Sequence, residues 1–440
     1  MSRASHRGTS TKGARTAYRS TIEQCRALLT KDFAWLWAGQ AISQIGDGVS
    51  KVALVWFVYS LTGSALQSTL IGVLETLPPL LLGPFAGVFL DRLPKRESMI
   101  VIDVVRAILL TLIPLLHVAG MLNLMWLYVI VFGNAVFGMA FGPALNAAIP
   151  LIVEPGQLTR GNAIMQSTLT IGQLLGPAAS GILIAAIGPQ NVLYVNAAAF
   201  AASAACKLPL RLHERRHDLT EAASVRTIAA DLRQGIRFLV RERPLLLLLM
   251  VSAGLFTLGT TGFVYLLPMI GERLLHIDSV RLGWLWSTIS VGMLLATIWL
   301  AWKEQPALCQ RFSVIAVSAV TAGVAVWAFS FTHLFVVELL LMVPIGVSSG
   351  LVTPLVSASV QEETPQDLLG RVFGVFNTGT MGLAMLGMTL FGWLADAFNP
   401  MVSLVGIASV TAATGALTAF FIRPCRRWSS SPKRSAASAA

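Results

Sequence analysis

Five ionisable residues interrupt the long apolar segments in the N-terminal half of this sequence, and they are the residues best suited to chemistry. They are Asp47, Lys51, Glu75, Asp103 and Arg106. If these segments cross a membrane, a charge near the bilayer centre costs at least about 2.5–3.5 kcal/mol, so each residue requires a role. A carboxylate there can carry protons or contact a substrate, and a nearby cation can neutralise it. The set therefore predicts movement of protons or of a charged solute.

Helical spacing indicates which of these charges could pair. Lys51 lies one turn after Asp47, and Arg106 lies one turn after Asp103. Two roles stay open for Asp47, either as a carrier of protons or substrate or as the structural partner of Lys51. Asp103 and Arg106 are predicted to form a structural ion pair near one end of their helix. Glu75 has no such neighbour, so it either lines a cavity or packs within the protein.

Composition indicates the elements that hold these residues. Of the 440 residues, 55% are hydrophobic and only 12% are charged, whereas soluble proteins carry about 25% charged residues. The apolar runs are long enough to cross a bilayer as helices. We predict an all-α polytopic membrane protein with twelve transmembrane helices in two six-helix halves. The predicted spans are approximately 34–61, 66–90, 98–120, 124–147, 162–187, 190–207, 244–269, 280–302, 312–332, 334–358, 371–397 and 400–422.

The net charge of +11 is unevenly distributed along the chain. Of the 32 Lys and Arg residues, 28 fall in the tails or after spans 2, 4, 6, 8 and 10, which alternate onto one side. Such a bias marks the cytoplasmic side. Both termini are therefore predicted to be cytoplasmic, in a multi-pass protein of the inner (plasma) membrane of a cell. Because topology accounts for the basic residues, the lipid bilayer is the predicted partner and nucleic acid is not.

A weak internal repeat supports the division into halves. Pro155 and Leu158 follow span 4, and Pro365 and Leu368 follow span 10, each 210 residues later. Two six-span halves with a substrate site between them are a common transporter architecture. The predicted divisions are a cytoplasmic N-terminal tail (1–32), an N-terminal half (33–207), a cytoplasmic linker with an amphipathic helix (208–243), a C-terminal half (244–423) and a cytoplasmic C-terminal tail (424–440).

A short charged loop joins spans 2 and 3. It contains, in order, Gly87, Asp91, Arg92, Lys95 and Arg96. This order resembles the signature loop between helices 2 and 3 of the major facilitator superfamily, although Pro94 stands where glycine is usual. The resemblance implies a cytoplasmic gate in which Asp91 latches onto a helix N-terminus or a cation of the opposite half. The alternative is a basic loop that only sets topology.

Other segments resemble one branch of this superfamily. Residues 33–48, 61–65, 103–107 and 368–374 look like the branch that holds the macrolide-efflux proteins and the enterobactin exporter. In span 5, the small residues resemble the Gly-x-x-x-Gly-Pro-x-x-Gly-Gly motif typical of antiporters in the superfamily, with Ser180 replacing one glycine. The matching residues are Gly172, Gly176, Pro177 and Gly181. The resemblance implies export by antiport, whereas small residues alone imply only close helix packing.

Polar and aromatic residues within the spans are further candidates for a substrate cavity. The polar candidates are Gln40, Gln44, Asn134, Gln166, Gln173 and Asn377. Each could instead form hydrogen bonds between helices. Phe137, Phe141 and Phe256 are the aromatic candidates.

The sequence predicts no cofactor and no metal. It contains no Gly-x-x-x-x-Gly-Lys-(Ser/Thr) phosphate loop, so ATP is not expected to drive the chain directly. His213 and His217 are four residues apart, but no other ligand type lies near them. The cysteines, Cys25, Cys206, Cys309 and Cys425, all fall on the predicted cytoplasmic side and are predicted to be reduced. The sequence shows no pair of catalytic groups of the kind that an enzyme uses, so the chain is not predicted to be an enzyme.

These observations predict a secondary active transporter that exports a small amphipathic molecule (a drug, an antibiotic or a siderophore) by alternating access. Protons are the predicted coupling ion, and the functional unit is predicted to be a monomer. The alternatives are a symporter or facilitator that imports a small solute, or a receptor on the same fold that transports nothing. Asp47 and Glu75 would suit a cationic substrate, whereas Lys51 and Arg106 would suit an anion.

Overall fold

The computed structural model describes the backbone of residues 31–91, 93–154, 157–212, 225–303, 306–332 and 334–422. Side chains are described for the same residues except 84–91 and 225–229. These residues form thirteen α-helices. The helices are α1 (Lys31–Thr62), α2 (Ala65–Asp91), α3 (Lys95–Val118), α4 (Leu124–Ala148), α5 (Leu158–Ile187), α6 (Pro189–Lys207), α7 (Val225–Arg241), α8 (Pro244–Arg273), α9 (Ser279–Trp302), α10 (Leu308–Phe329), α11 (Phe335–Glu363), α12 (Leu369–Ala397) and α13 (Pro400–Phe420).

Twelve of these helices match the twelve predicted spans. Within the described residues, eleven are long and apolar enough to cross a membrane by length and composition. The remaining one, α6, contains polar residues such as Asn191 and Asn196. It packs against α1 and α3, and Asn196 is fully buried there. A helix surface that faces other helices does not need the apolarity that lipid requires, which explains the lower apolarity of α6.

The same packing scheme occurs in both sets of six helices. In the first set, α1 packs against α5 and α6, α3 packs against α4 and α6, and α2 packs against α4. In the second set, α8 packs against α12 and α13, α10 packs against α11 and α13, and α9 packs against α11. Each helix of the second set thus takes the neighbours of its counterpart in the first. This arrangement is the one expected of a parallel structural repeat. The residue boundaries given above for the halves and tails stay a prediction.

Two pairs of helices, each with one helix from either half, make most of the contact between the halves. Helix α2 packs against α12, and α5 packs against α9. Helices α1 and α2 also contact α8. We call the end of the bundle where α1 begins and α13 ends the terminal end, and the opposite end the distal end. The terminal end carries the connections after α2, α4, α6, α9 and α11.

Helix α7 lies on the terminal end of the C-terminal half. It packs against α8 and α12, and the Asp231 carboxylate accepts a hydrogen bond from Arg371 Nε at 2.7 Å. Phe238 and Leu239 are buried in the apolar core of that half, whereas Ile236 is exposed. The amphipathic spacing therefore serves mainly to attach the linker to the bundle. Phe238 and Leu239 therefore pack on the apolar surface that the bundle itself offers.

Two of the four cysteines lie in the described residues. Cys206 is a free, half-buried thiol in α6. Cys309 at the start of α10 is disulfide-bonded, so the prediction of reduced thiols is wrong for this residue. Spacing along the sequence could not reveal the bond, because a disulfide depends on the approach of two Cα atoms in the tertiary structure.

Candidate transport site between the two halves

Asp47 and Arg106 form an ion pair between α1 and α3. Arg106 Nη2 donates to Asp47 Oδ1 at 2.9 Å, and Nη1 lies 3.4 Å from Oδ2. Arg106 Nε also donates to Asn134 Oδ1 of α4 at 3.1 Å, and the guanidinium lies 4.0 Å from the ring centre of Phe200. Asp47 therefore pairs across helices rather than with Lys51 of its own helix. The predicted Asp103–Arg106 pair is wrong for the same reason, since the guanidinium points to α1 and α4.

Asp103 pairs instead with Lys207, the last residue of α6. The Lys207 Nζ donates to Asp103 Oδ2 and to Ser203 Oγ, each at 2.5 Å. Each of the two charged side chains exposes at most 1% of its surface. The Lys207 ammonium also lies 4.8 Å from the ring centre of Phe141. The pair joins α3 to α6. Because solvent cannot reach it, we assign it a structural role.

Lys51 belongs to a second cluster, which crosses between the halves. Its Nζ lies 5.2 Å from the ring centre of Tyr265 on α8. The Tyr265 hydroxyl donates to Glu75 Oε2 of α2 at 2.8 Å. A cation over a tyrosine ring is stabilised by the ring quadrupole. Lys51, Tyr265 and Glu75 therefore connect three helices from both halves.

A cavity of about 370 Å³ lies beside this cluster. It is walled by residues of α1 and α5 from the first half and of α8, α9 and α11 from the second. Its hydroxyl-bearing residues are Thr257, Thr260, Thr261, Ser290, Ser349 and Thr353. Its aromatic residues are Phe256, Tyr265 and Trp286. Such a mixture of apolar walls and a few polar groups suits a small amphipathic ligand.

Four sequence candidates line this cavity and the others lie elsewhere. Lys51, Gln173, Pro177 and Phe256 are in its wall. Gln40 and Gln166 line another cavity, of about 550 Å³, between α1, α4 and α5. Among the remaining polar candidates, Gln44 packs against Gly172, Asn134 binds Arg106, and Asn377 is exposed on α12. Phe141 contacts Lys207, and Phe137 is half-buried in the core near Phe33.

The small-residue motif of span 5 packs against two helices at once. A Cβ atom built on Gly172 would lie 2.8 Å from Gln44 O of α1, and one on Gly176 would lie 2.5 Å from Gly48 Cα. Beyond these, Pro177 and Gly181 face α9 of the other half, where a Cβ on Gly283 would lie 2.5 Å from Pro177 O. Any larger side chain would separate these backbones. The motif thus joins α5 to α1 and to the opposite half.

The distal ends of the halves are joined by two charged residues that sequence reasoning did not single out. Asp396 at the end of α12 accepts from Ala65 N at 2.8 Å and from Leu66 N at 2.9 Å, so it caps the start of α2. Arg273 at the end of α8 donates to the carbonyl oxygen of Gly63. We call these two contacts the distal clamp. Their sequence signal was weak, since each is one charged residue at the end of an apolar span.

Lys207 and Tyr265 were also missed as site residues. Lys207 was counted with the topogenic basic residues, because it ends an apolar span at the basic side. Tyr265 lies in a long apolar run with no nearby charge. Only the approach of other helices gives either residue its partner.

The charged loop between α2 and α3 is only partly described. Gly87 and Asp91 lie in the last part of α2, but their side chains, and Arg92 as a whole, are outside the described residues. Lys95 Nζ donates to Leu93 O at 3.3 Å. Arg96 Nε donates to Lys207 O at 3.2 Å, which ties the start of α3 to the end of α6.

Comparison with known proteins places this arrangement in a family. Residues 36–388 match the model of the Major Facilitator Superfamily. The multidrug efflux pump Tap of Mycolicibacterium fortuitum is 27% identical over 410 residues, which cover 89% of this chain and 94% of that protein. The macrolide efflux protein A of Streptococcus pyogenes is 27% identical, over 83% of this chain and 89% of that protein.

Solved structures show the same fold. The crystal structure of the nucleoside transporter NupG superposes with a TM-score of 0.70 at 13% identity, covering 89% of this chain and 99% of that one. At this identity the likeness concerns the fold alone. These relatives and structural neighbours are transporters rather than enzymes. The family match covers most of the sequence, from α1 into α12, and includes the residues that line the cavity between the halves, so the chain belongs to the Major Facilitator Superfamily.

Proposed function

We propose that this chain is a proton-coupled efflux transporter that moves small amphipathic molecules by alternating access. The observation that carries the proposal is the cavity between the halves, whose wall combines residues of both. The efflux pumps among its relatives support the outward direction. We further propose that it works as a monomer in the inner (plasma) membrane, with both termini cytoplasmic.

The contacts between the halves support a resting conformation that is closed at the distal end. In the described residues, the hydrogen bonds that join the first six helices to the last six lie between the distal end and the level of the cavity. They are made by Asp396, Arg273, Ser279, Ser287, Ser290 and Tyr265. Towards the terminal end, Cβ atoms built on Gly370, Gly374, Gly379 and Gly382 of α12 would meet no atom of the described residues within 4 Å. In this proposal a substrate enters from the cytoplasm at the terminal end.

The proposed coupling site is the Asp47–Arg106 pair. The Asp47 side chain keeps 32% of its surface exposed, whereas Arg106 keeps 11%. Water can therefore reach the carboxylate while the guanidinium stays held by Asn134 and Phe200. Protonation of Asp47 removes its negative charge and weakens the link between α1 and α3. Because α1 also lines the cavity, this change is transmitted to the substrate site.

The proposed gates lie at opposite ends of the bundle. The distal clamp of Asp396 and Arg273 has to open when the cavity faces outward. The signature loop at the terminal end, with Gly87, Asp91, Arg92, Lys95 and Arg96, is the proposed cytoplasmic latch. Each gate stabilises one conformation at the expense of the other, and a transport cycle breaks them in turn.

The test is flux in inside-out membrane vesicles that contain the full chain. An acid interior should drive accumulation of at least one of ethidium, erythromycin, rhodamine 123 and fluorescein. The Asp47→Asn variant should lose gradient-driven accumulation but retain exchange of labelled for unlabelled substrate across the membrane. If the acid interior drives no accumulation of any of the four compounds, the proposed function is wrong. Accumulation by Asp47→Asn at the wild-type level would remove Asp47 from proton coupling.

A further inference from the structure

We propose that the cavity between the halves selects an organic anion with a flat aromatic body, through Lys51. This inference rests on the proposed function, because it assigns the substrate class of the same cavity. Lys51 is the only Lys, Arg, His, Asp or Glu among the described residues that line it. The charge that a substrate meets there is therefore positive.

The acidic residues of the first half do not offset this charge at the cavity wall. Asp47 is bound by Arg106 within the helices of its own half. Glu75 is outside the described lining and accepts a hydrogen bond from the Tyr265 hydroxyl. Tyr265 thus contacts both groups, the Glu75 carboxylate through its hydroxyl and the Lys51 ammonium through its ring. Both carboxylates that could attract a cation are already engaged by donors of the protein.

The Tyr265 ring holds the Lys51 ammonium in place, and no hydrogen bond from Lys51 to another described residue uses its donors. A cation–π contact with Tyr265 stabilises the ammonium, but it does not pair any of the three N–H donors with an oxygen acceptor. The hydrogen bond from Tyr265 to Glu75 makes the ring richer in electrons, which strengthens the contact. Lys51 is exposed, so its donors can reach a ligand. A carboxylate or phenolate is the acceptor that such a group binds most strongly.

The rest of the wall fits the body of such a molecule. Phe256 and Trp286 supply aromatic surface. Trp286 Nε1 is a buried donor with no hydrogen-bond partner in the described residues, which also favours a ligand that carries acceptors. Thr257 and Thr260 donate their hydroxyls to backbone oxygens of α8, so their oxygens remain available to accept from a ligand hydroxyl or amine. An aromatic acid or phenolate with a further hydroxyl group matches all three features.

The test compares two dyes that share a tricyclic scaffold and differ in charge, anionic fluorescein and cationic rhodamine 123. Binding is measured by fluorescence anisotropy with the full chain in nanodiscs of phosphatidylcholine, whose headgroup has no net charge. We expect fluorescein to bind more tightly than rhodamine 123, and Lys51→Gln to weaken fluorescein by about tenfold, as loss of a charged hydrogen-bonding partner does. Lys51→Arg should keep most of the preference.

Two control variants separate charge from shape. Lys303→Gln removes a lysine from the exposed end of α9 and should leave both affinities unchanged. Phe256→Ala should weaken both dyes together, because ring packing does not depend on ligand charge. Equal binding of both dyes, or an unchanged fluorescein affinity in Lys51→Gln, would overturn the proposal.

Flux in proteoliposomes distinguishes this proposal from the proposed function. Transport of rhodamine 123 without binding or transport of fluorescein leaves the transporter standing and overturns the anion preference. Lys51-dependent binding of fluorescein without flux of any compound supports the anion site and overturns the transport function. Binding of neither dye overturns the anion site, and the vesicle assay then decides the function separately.

Discussion

Asp47 of α1 and Arg106 of α3 face each other with Oδ1 2.9 Å from Nη2 and Oδ2 3.4 Å from Nη1. The pair leaves Lys51, one turn along from Asp47, free of that carboxylate and over the Tyr265 ring instead. The charges of the first half that the sequence singled out are thereby sorted into three groups. One group joins α1, α3 and α4, the Asp103–Lys207 pair joins α3 to α6, and the third lies between the halves beside the cavity.

Neutralising one partner of the buried Asp103–Lys207 pair should destabilise the protein more than replacing both. Lys207→Met leaves a carboxylate with no cation in a fully buried site, and such a loss costs about 3–5 kcal/mol. The double variant Asp103→Leu with Lys207→Met should recover most of this. Thermal unfolding in detergent measures both. A Lys207→Met protein as stable as wild type would show that the pair does not stabilise the fold.

Breaking the distal clamp should shift the balance of conformations towards the outward-open state. Asp396→Ala removes the carboxylate that caps α2, and loss of such a cap to alanine costs about 0.5–2 kcal/mol, or a several-fold change in population. Spin labels at Met121 and Leu334, both exposed on distal connections of different halves, report the opening by electron paramagnetic resonance.

Asp278→Ala is the matched control for the distal clamp. Asp278 also caps a helix at the distal end, by accepting from Arg281 N at 2.9 Å, but both residues belong to the same half. Its loss should leave the distance between the labels unchanged. An identical shift in both variants would mean that helix capping in general, rather than contact between the halves, sets the distance.

The small-residue motif should tolerate no added carbon at Gly176. A Cβ there would lie 2.5 Å from Gly48 Cα, so Gly176→Ala should cost about 1–3 kcal/mol by forcing α1 and α5 apart. Gly379→Ala is the control, because its Cβ meets nothing within 4 Å and alanine favours a helix. Thermal unfolding of both variants is the measurement. Equal stability of Gly176→Ala and wild type would contradict the packing seen here.

The proposed latch at the terminal end predicts that Asp91→Ala impairs transport while the protein still reaches the membrane. The reason is that loss of the carboxylate removes the contact that would close the terminal end. Vesicle flux and immunoblotting of the membrane fraction measure the two effects separately. Normal flux would mean that the loop acts only as a topology signal.

The membrane-spanning helices and the close packing of α5 could be predicted from the sequence. The spans followed from apolar runs of the right length, because a bilayer demands about 20 apolar residues from any crossing helix. Their bounds agree with the helices to within five residues at each end, as for the span predicted at 334–358 and found as Phe335–Glu363. Close packing at Gly172 and Gly176 was also readable, since small residues at a spacing of four form one face of a helix.

The partners of the charged side chains could not be predicted from the sequence in this way. Spacing along one helix suggested Asp47 with Lys51 and Asp103 with Arg106, but the partners are Arg106 and Lys207 from other helices. Long basic side chains reach across several ångströms, so the nearest partner in space is seldom the nearest in sequence. Asp396 and Arg273 gained their roles only because α12 and α8 end beside the turn that starts α2.

The sequence by itself determined the membrane-spanning helices, their order and the polar groups that they carry, because these depend on local composition and on the demands of lipid. The tertiary structure alone decided which charges neutralise one another and which one faces the cavity, because those outcomes depend on distances between helices far apart in the chain. That distinction is the basis of the proposed anion preference: Asp47 is bound by Arg106, Glu75 accepts from Tyr265, and Lys51 is the charged residue of the described cavity wall.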